Sequence, residues 1–288
     1  MLNIMNADMF RIRKGKSMIG VFIGLLAIVL LMSTLFKVLS SEEIMLQLEN
    51  SDGPITVERV EGDFVDEGSD PIQEIQEIMP QNGTEFWIGI YGDIVNILPL
   101  IMLPFIIVIF GADYSSGAFR NLLSYYSERD KIYLSKLSLS FLVGLGAKVV
   151  FILLNLIIGT LYFGIGGISG ASLIQALTGT LLMVPTLLAT IAMGHCIVAL
   201  TKKVSSTIAI FLVGVLGWST VIQMAAMMFP SKPWVISLDI VSMMGSMMKY
   251  SELATSSIVM QMILSFAILI GTTVVGMYTY RKTDFDFS

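Results

Sequence analysis

The sequence predicts an all-α integral membrane protein of six transmembrane helices, and three observations carry that prediction. Hydrophobic residues make up 55% of the chain and charged residues 14%, with a mean hydropathy of +0.81. Soluble domains hold about 45–50% apolar and about 25% charged residues. Six apolar stretches are long enough to span a bilayer, and lysine and arginine flank them on alternate sides. At about 1.5 Å of rise per residue, a hydrocarbon core of about 30 Å takes about 20 helical residues. Six such spans with their loops use up the chain, so residues 1–288 read as one transmembrane domain.

Residues 1–16 read as a basic amphipathic segment at the cytoplasmic surface. The first span runs from Ser17 to Leu39. It is too long for the core of a signal peptide and no small-x-small cleavage site follows it, so it reads as a retained helix in a chain that begins at Met1. Gly20 and Gly24 form a small-xxx-small pair on it.

Residues 40–87 form an outer loop carrying thirteen of the 22 acidic residues against one base, Arg59. Its densest run, Asp63, Asp66, Glu67 and Asp70, sets up a negative field suited to gathering cationic ligands. Its scattered apolar residues, among them Ile55, Phe64 and Ile72, are too few to build a core.

The second span, Ile88 to Phe110, contains Pro99 and Pro104, and each proline removes a helical donor and kinks the helix. Residues 111–137 are a cytoplasmic loop. The third span runs from Ser138 to Phe163, the fourth from Leu173 to Leu200, the fifth from Val204 to Met228 and the sixth from Thr255 to Tyr280. Residues 229–254, with Pro230, Pro233, Trp234 and a run of methionines, read as an outer re-entrant or interfacial segment. The outer methionines Met224, Met227, Met228, Met243, Met244, Met247 and Met248 suit either an adaptable apolar surface or lipid-facing filler.

Basic residues flanking spans stay in the cytoplasm. One side collects Arg11, Arg13, Lys14, Lys16, Arg120, Arg129, Lys131, Lys136, Lys202, Lys203, Arg281 and Lys282, and the other only Lys37, Arg59, Lys232 and Lys249. Both termini are therefore expected inside. The net charge of −5 hides an acidic outside and a basic inside, and nothing favours nucleic acid as a partner.

Several chemistries find no residues to carry them. Gly15, Lys16 and Ser17 resemble the end of a phosphate-binding loop, but Phe10 stands where that motif needs glycine. Gly167, Ile168, Ser169 and Gly170 break the spacing of a serine nucleophile elbow. One histidine, His195, and one cysteine, Cys196, exclude a histidine-based metal cluster and an intramolecular disulfide. No catalytic or metal-binding residues are expected. His195 reads as a hydrogen-bonded packing residue rather than a proton relay.

Two charged residues fall within spans away from their ends, Lys148 and Asp93. Lys148 lies ten residues into the third span, so it either faces the protein interior with a partner, for which Asp93 is a candidate, or snorkels to the cytoplasmic interface.

In the cytoplasmic loop, Phe119, Leu122, Leu123 and Tyr126 recur at helical spacing. They fit either an interfacial anchor or an apolar knob that docks into a partner's groove. Asp113, Gly117, Arg120, Leu122, Leu123, Ser127, Arg129 and Lys136 resemble the loop between the second and third helices of ABC-2 permeases, the membrane subunits of ATP-binding cassette transporters. Asp113 replaces the usual glutamate, Ala118 the usual threonine, and Tyr126 the usual proline. The layout of the whole chain resembles that family too, most of all its peptide-exporting and lantibiotic- or bacitracin-immunity members.

The resemblance implies a permease subunit that moves a peptide or amphipathic antimicrobial compound out of a bacterial cell membrane. Asp113, Gly117, Phe119, Arg120, Leu122, Leu123 and Arg129 would form a coupling helix docked on two copies of a cytosolic ATPase. ATP and magnesium would be bound by that partner, with no cofactor in this chain, and a second permease, identical or homologous, would complete the complex. Two other classes fit less of the sequence: an ion-coupled secondary transporter, and a membrane-anchored sensor or scaffold acting through its outer loop.

Overall fold

The computed structural model describes residues 2–14, 16–39, 106, 128–164, 170–229, 233–239, 244 and 247–282, and among them every regular element is helical. In chain order these are α1 (Leu2–Lys14), α2 (Lys16–Leu39), α3 (Arg129–Phe163), α4 (Gly170–Leu182), α5 (Val184–Thr201), α6 (Val204–Met228) and α7 (Thr255–Lys282). Two 3₁₀ turns, Pro233–Leu238 and Met247–Glu252, lie between α6 and α7. Among the described residues, four helices are long and apolar enough to cross a membrane: Arg129–Phe163, Ile174–Thr201, Val204–Met228 and Thr255–Lys282.

The helices are amphipathic in reverse, which is what a lipid solvent selects. On α7 the buried residues are Ser257, Gln261, Ser265, Gly276 and Tyr280. Its exposed side carries Val259, Ile263, Phe266, Ile270 and Val274. On α3, Leu142, Val149, Leu153, Ile157 and Leu161 are exposed while Ser140, Lys148 and Asn155 are buried. Water would favour the opposite arrangement; a hydrocarbon surround makes the outward apolar face cost-free and sends polar groups inward to find partners. The chain is a membrane protein by this pattern as well as by helix length.

The third helix begins at Arg129, earlier than the Ser138 expected for the third span. The added turns hold because Tyr133, Lys136 and Leu137 are buried against neighbouring helices. At 35 residues α3 is about 52 Å long, so several turns project beyond a core of about 30 Å. Gly164 ends it with φ 80°, its N–H donating to Thr160 O at 3.0 Å, a left-handed-side conformation that glycine adopts without strain.

The expected fourth span is present as Ile174–Thr201, with an interruption inside it. Pro185 has no N–H to give the carbonyl four residues back, and the chain breaks at Met183 into α4 and α5. At the other end of α5, Lys202 turns left-handed at φ 55° and Thr201 Oγ1 meets Thr207 Oγ1 at 2.7 Å, tying the turn into α6.

Side-chain contacts fix the directions. Thr34 Oγ1 lies 3.1 Å from Tyr162 Oη and Lys37 Nζ sits 5.3 Å from the Phe163 ring centre, so α2 and α3 run parallel. Ser140 meets His195 on α5, and Lys148, farther along α3, meets Thr180 on the earlier α4, so α3 opposes the α4–α5 pair. Helix α7 packs most extensively on α5 and runs parallel to it, Thr186 meeting Gln261 and Ser265. One end of the bundle therefore gathers α1, the start of α3 and the ends of α5 and α7.

Candidate functional site

The described ionisable and polar side chains divide between that end and the middle of the bundle. At the end, Asp130 in the first turn of α3 accepts from Arg281 in the last turn of α7, at 3.2 Å from Nε and through a second, shorter contact from Nη2. Arg129 Nη1 donates to the Arg281 carbonyl at 3.0 Å. These turns stand beyond the apolar part of both helices. The hydrogen bond from Arg281, reinforced by its charge, lowers the Asp130 carboxyl below its ordinary value.

A few residues further in, Lys136 Nζ pairs with Asp8 Oδ2 of α1 at 3.0 Å, and the two side chains are 0% and 8% exposed. Ile12 and Leu139 pack beside the pair and fasten α1 along α3. Asp8 is the one acid in the basic segment 1–16, the signal by which the sequence could have disclosed it.

The next layer is aromatic. Tyr133 stands edge-on to His195, with ring centres 6.4 Å apart, and tilts against Tyr280 at 5.9 Å. His195 Nε2 lies 2.6 Å from Ser140 Oγ, the hydrogen-bonded packing that its place in a span called for. Tyr133 covers Gly276, where an added Cβ would meet the ring carbon Cζ at 2.7 Å, so only glycine fits there.

The middle holds Lys148, 2% exposed, whose Nζ donates to Thr180 O at 2.7 Å. Thr180 lies in the last turn of α4, just before the break at Met183, where helical carbonyls run short of donors and the helix dipole is negative. Lys148 is thus buried and caps a broken helix. Beside it in the fold, Thr186 Oγ1 meets Ser265 Oγ at 2.9 Å and receives Gln261 Nε2 at 3.2 Å, and Thr190 Oγ1 donates to Thr186 O at 2.8 Å. Asn155, two turns beyond Lys148, donates Nδ2 to Phe151 O at 2.8 Å. Sequence reading missed Thr186 on α5 and Gln261 and Ser265 on α7, the last two signalled by polar residues one turn apart in an apolar run.

Of the residues singled out from the sequence, Arg129, Lys136, Lys148 and His195 lie in this framework. Asp113, Gly117, Phe119, Arg120, Leu122, Leu123, Asp93, Asp63, Asp66, Glu67 and Asp70 lie outside the described residues. The methionines split: Met224, Met227 and Met228 are exposed, whereas Met244 and Met247 are core. Segment 229–254 contributes a buried acid that went unnoticed, Asp239, which accepts from Ser219 at 2.7 Å beside Trp218 Nε1 donating to Leu238 O at 2.9 Å. Among the described residues no group of three or more His, Cys, Asp or Glu side chains converges as a metal site. No family model matches the chain, and neither a curated protein nor a solved structure matches it.

Proposed function

We propose that the chain is the permease subunit of an ATP-binding cassette exporter of the ABC-2 kind, moving a peptide or amphipathic antimicrobial compound out of a bacterial membrane. One observation carries the reading. Arg129, which with Lys136 makes up the part of the coupling pattern that falls in the described structure, opens α3 and is clasped with Asp130 to the end of α7. A push delivered to the loop ahead of it reaches two long helices at once. A pair of ATPases closing on nucleotide would use that clasp to switch the permease between access states.

Helix direction supports six spans. Because α2 and α3 run parallel, the chain between Leu39 and Glu128 has to return to the basic end, and the apolar stretch Ile88–Phe110 is proposed to make that crossing. Ile106 packs at Gly194, one residue from His195, the level that a span ending at Phe110 would reach. The basic end collects Lys131, Lys202, Lys203, Arg281 and Lys282, which supports cytoplasmic termini. Cofactor binding is assigned to the partner ATPase, and a second permease completes the assembly.

The test is ATP turnover. The purified chain is expected to hydrolyse no ATP and to co-purify from its native membrane with an ATPase, an association lost in Leu122→Asp, which sets an unpaired charge in the docked knob. Turnover by the chain alone, or normal association of that variant, would sink the proposal. A second reading, an ion-coupled secondary transporter, is favoured by Lys148 at a broken helix, the geometry of midplane sites in such proteins. Transport that persists without nucleotide and follows an ion gradient would establish it instead.

A further inference from the structure

Asn155 Oδ1, Gln261 Oε1 and Ser33 Oγ are buried without a hydrogen-bond partner among the described residues, on side chains that are 0% exposed. Hydrocarbon offers such atoms nothing, and orphaned polar groups inside a membrane bundle are costly. Reversing the amides does not cure them. Asn155 Nδ2 already serves Phe151 O and Gln261 Nε2 already serves Thr186 Oγ1, so a reversal exchanges an unserved acceptor for an unserved donor.

The two amide oxygens belong to one seam. Ser140 meets His195; from there Lys148 is eight residues along α3 (148 − 140) and Thr186 is nine back along α5 (195 − 186), so both lie about 12–14 Å deeper. Gln261 and Ser265 reach Thr186 from α7. Asn155 shares the Lys148 face of α3, two turns on. Lys148 Nζ, a three-proton donor, spends one bond on Thr180 O. A ligand for this seam must give protons to amide oxygens and accept them from an ammonium, and water does both.

We infer that the interior of α3, α5 and α7 is a hydrated path, and that Lys148 makes it prefer anions. The inference rests on the membrane-spanning reading and not on the partner ATPase. Any solute group crossing here would exchange water's hydrogen bonds for those of Gln261, Thr186 and Asn155, and a carboxylate or sulfonate would gain the Lys148 charge.

Because Cys196 is the only cysteine, Cys196→Ala gives a background for thiol labelling. Asn155→Cys, Gln261→Cys and the near-isosteric Ser265→Cys would be placed in lipid nanodiscs and exposed to membrane-impermeant thiosulfonates, one anionic and one cationic. Leu153→Cys and Ile263→Cys on the lipid face are controls. Seam cysteines are expected to react faster than the controls, the anionic reagent about tenfold faster than the cationic one. Adding Lys148→Met is expected to erase that ratio. Seam cysteines no more reactive than the controls, in variants that elute as the parent does, would show the interior to be dry. Equal rates for both charges, untouched by Lys148→Met, would overturn the anion preference. Failure of labelling with ATPase association retained would remove the path and leave the permease reading standing.

Discussion

The basic end of the bundle and its middle satisfy their cations by different means. At the end, Lys136 has the carboxylate of Asp8 and Arg281 has that of Asp130. In the middle, Lys148 is held by a backbone carbonyl and has no carboxylate partner among the described residues. The neighbours of Lys148 in the seam are hydroxyls and amides. Near the surface an ion pair can form with water close by, whereas deep in the bundle a carboxylate would need burying too, so a helix break supplies negative potential without a second charge. The difference separates groups that hold the fold from groups that face the proposed path.

The sharpest break of this comparison lies at Asp8. Removing one partner of a buried pair strands the other charge, at a cost of about 3–5 kcal/mol. Asp8→Asn is therefore expected to lower the unfolding midpoint in detergent sharply and to free α1 to protease. Asp8→Asn with Lys136→Met removes both charges and is expected to recover most of that stability. A double variant as unstable as the single one would mean that the pair does not fasten α1.

How much of this could be read in advance differs between the same two regions. Reverse amphipathicity, and hence the membrane class, follows from composition and helix period. The start of α7 at Thr255 and the limits of α6 coincide with their expected spans because Lys202–Lys203 and the amphipathic, proline-bearing 229–254 stretch bound them. The start of α3 did not read out, since a polar first turn looks like loop until Tyr133 and Lys136 find α7 and α1. Pro185 was legible as a breaker and was passed over inside a long apolar run. The pairing of Thr186 with Gln261 and Ser265 depends on how α5 meets α7, which no single-chain period encodes. The coupling pattern at Asp113 to Leu123 remains a reading of the sequence.

The second prediction sharpens the contrast from the middle. Lys148→Met withdraws a donor from Thr180 O, a loss of about 1–3 kcal/mol, and also removes a buried cation, a gain of similar size. Net stability is expected to stay within about 1 kcal/mol of the parent, unlike Asp8→Asn, while transport falls. Thermal unfolding and transport assayed on the same preparation decide it. A large loss of stability would make Lys148 a fold residue like Lys136.

The smallest effect on stability, and the most pointed one on function, is expected at Asp130. The Arg281 side chain is 66% exposed, so screening by water and salt leaves this pair little say in folding. Arg281 lowers the Asp130 carboxyl below its ordinary value of 3.8. What the pair contributes is therefore fully present above that value and is lost as pH falls through the lowered one, leaving no pH dependence of stability near neutrality. Asp130→Asn keeps the size of the side chain and removes its charge. The unfolding midpoint is expected to be unchanged at neutral pH, in low and high salt alike. If the clasp joins the coupling loop to α7, the variant still binds its ATPase, yet substrate no longer stimulates ATP turnover, because a push on α3 is not shared with α7. Arg281→Lys, which keeps the charge but not the two-pronged grip, is expected to fall between the two. Substrate-stimulated turnover equal to the parent's in Asp130→Asn would reduce the clasp to a surface ion pair and leave α3 to carry the motion alone.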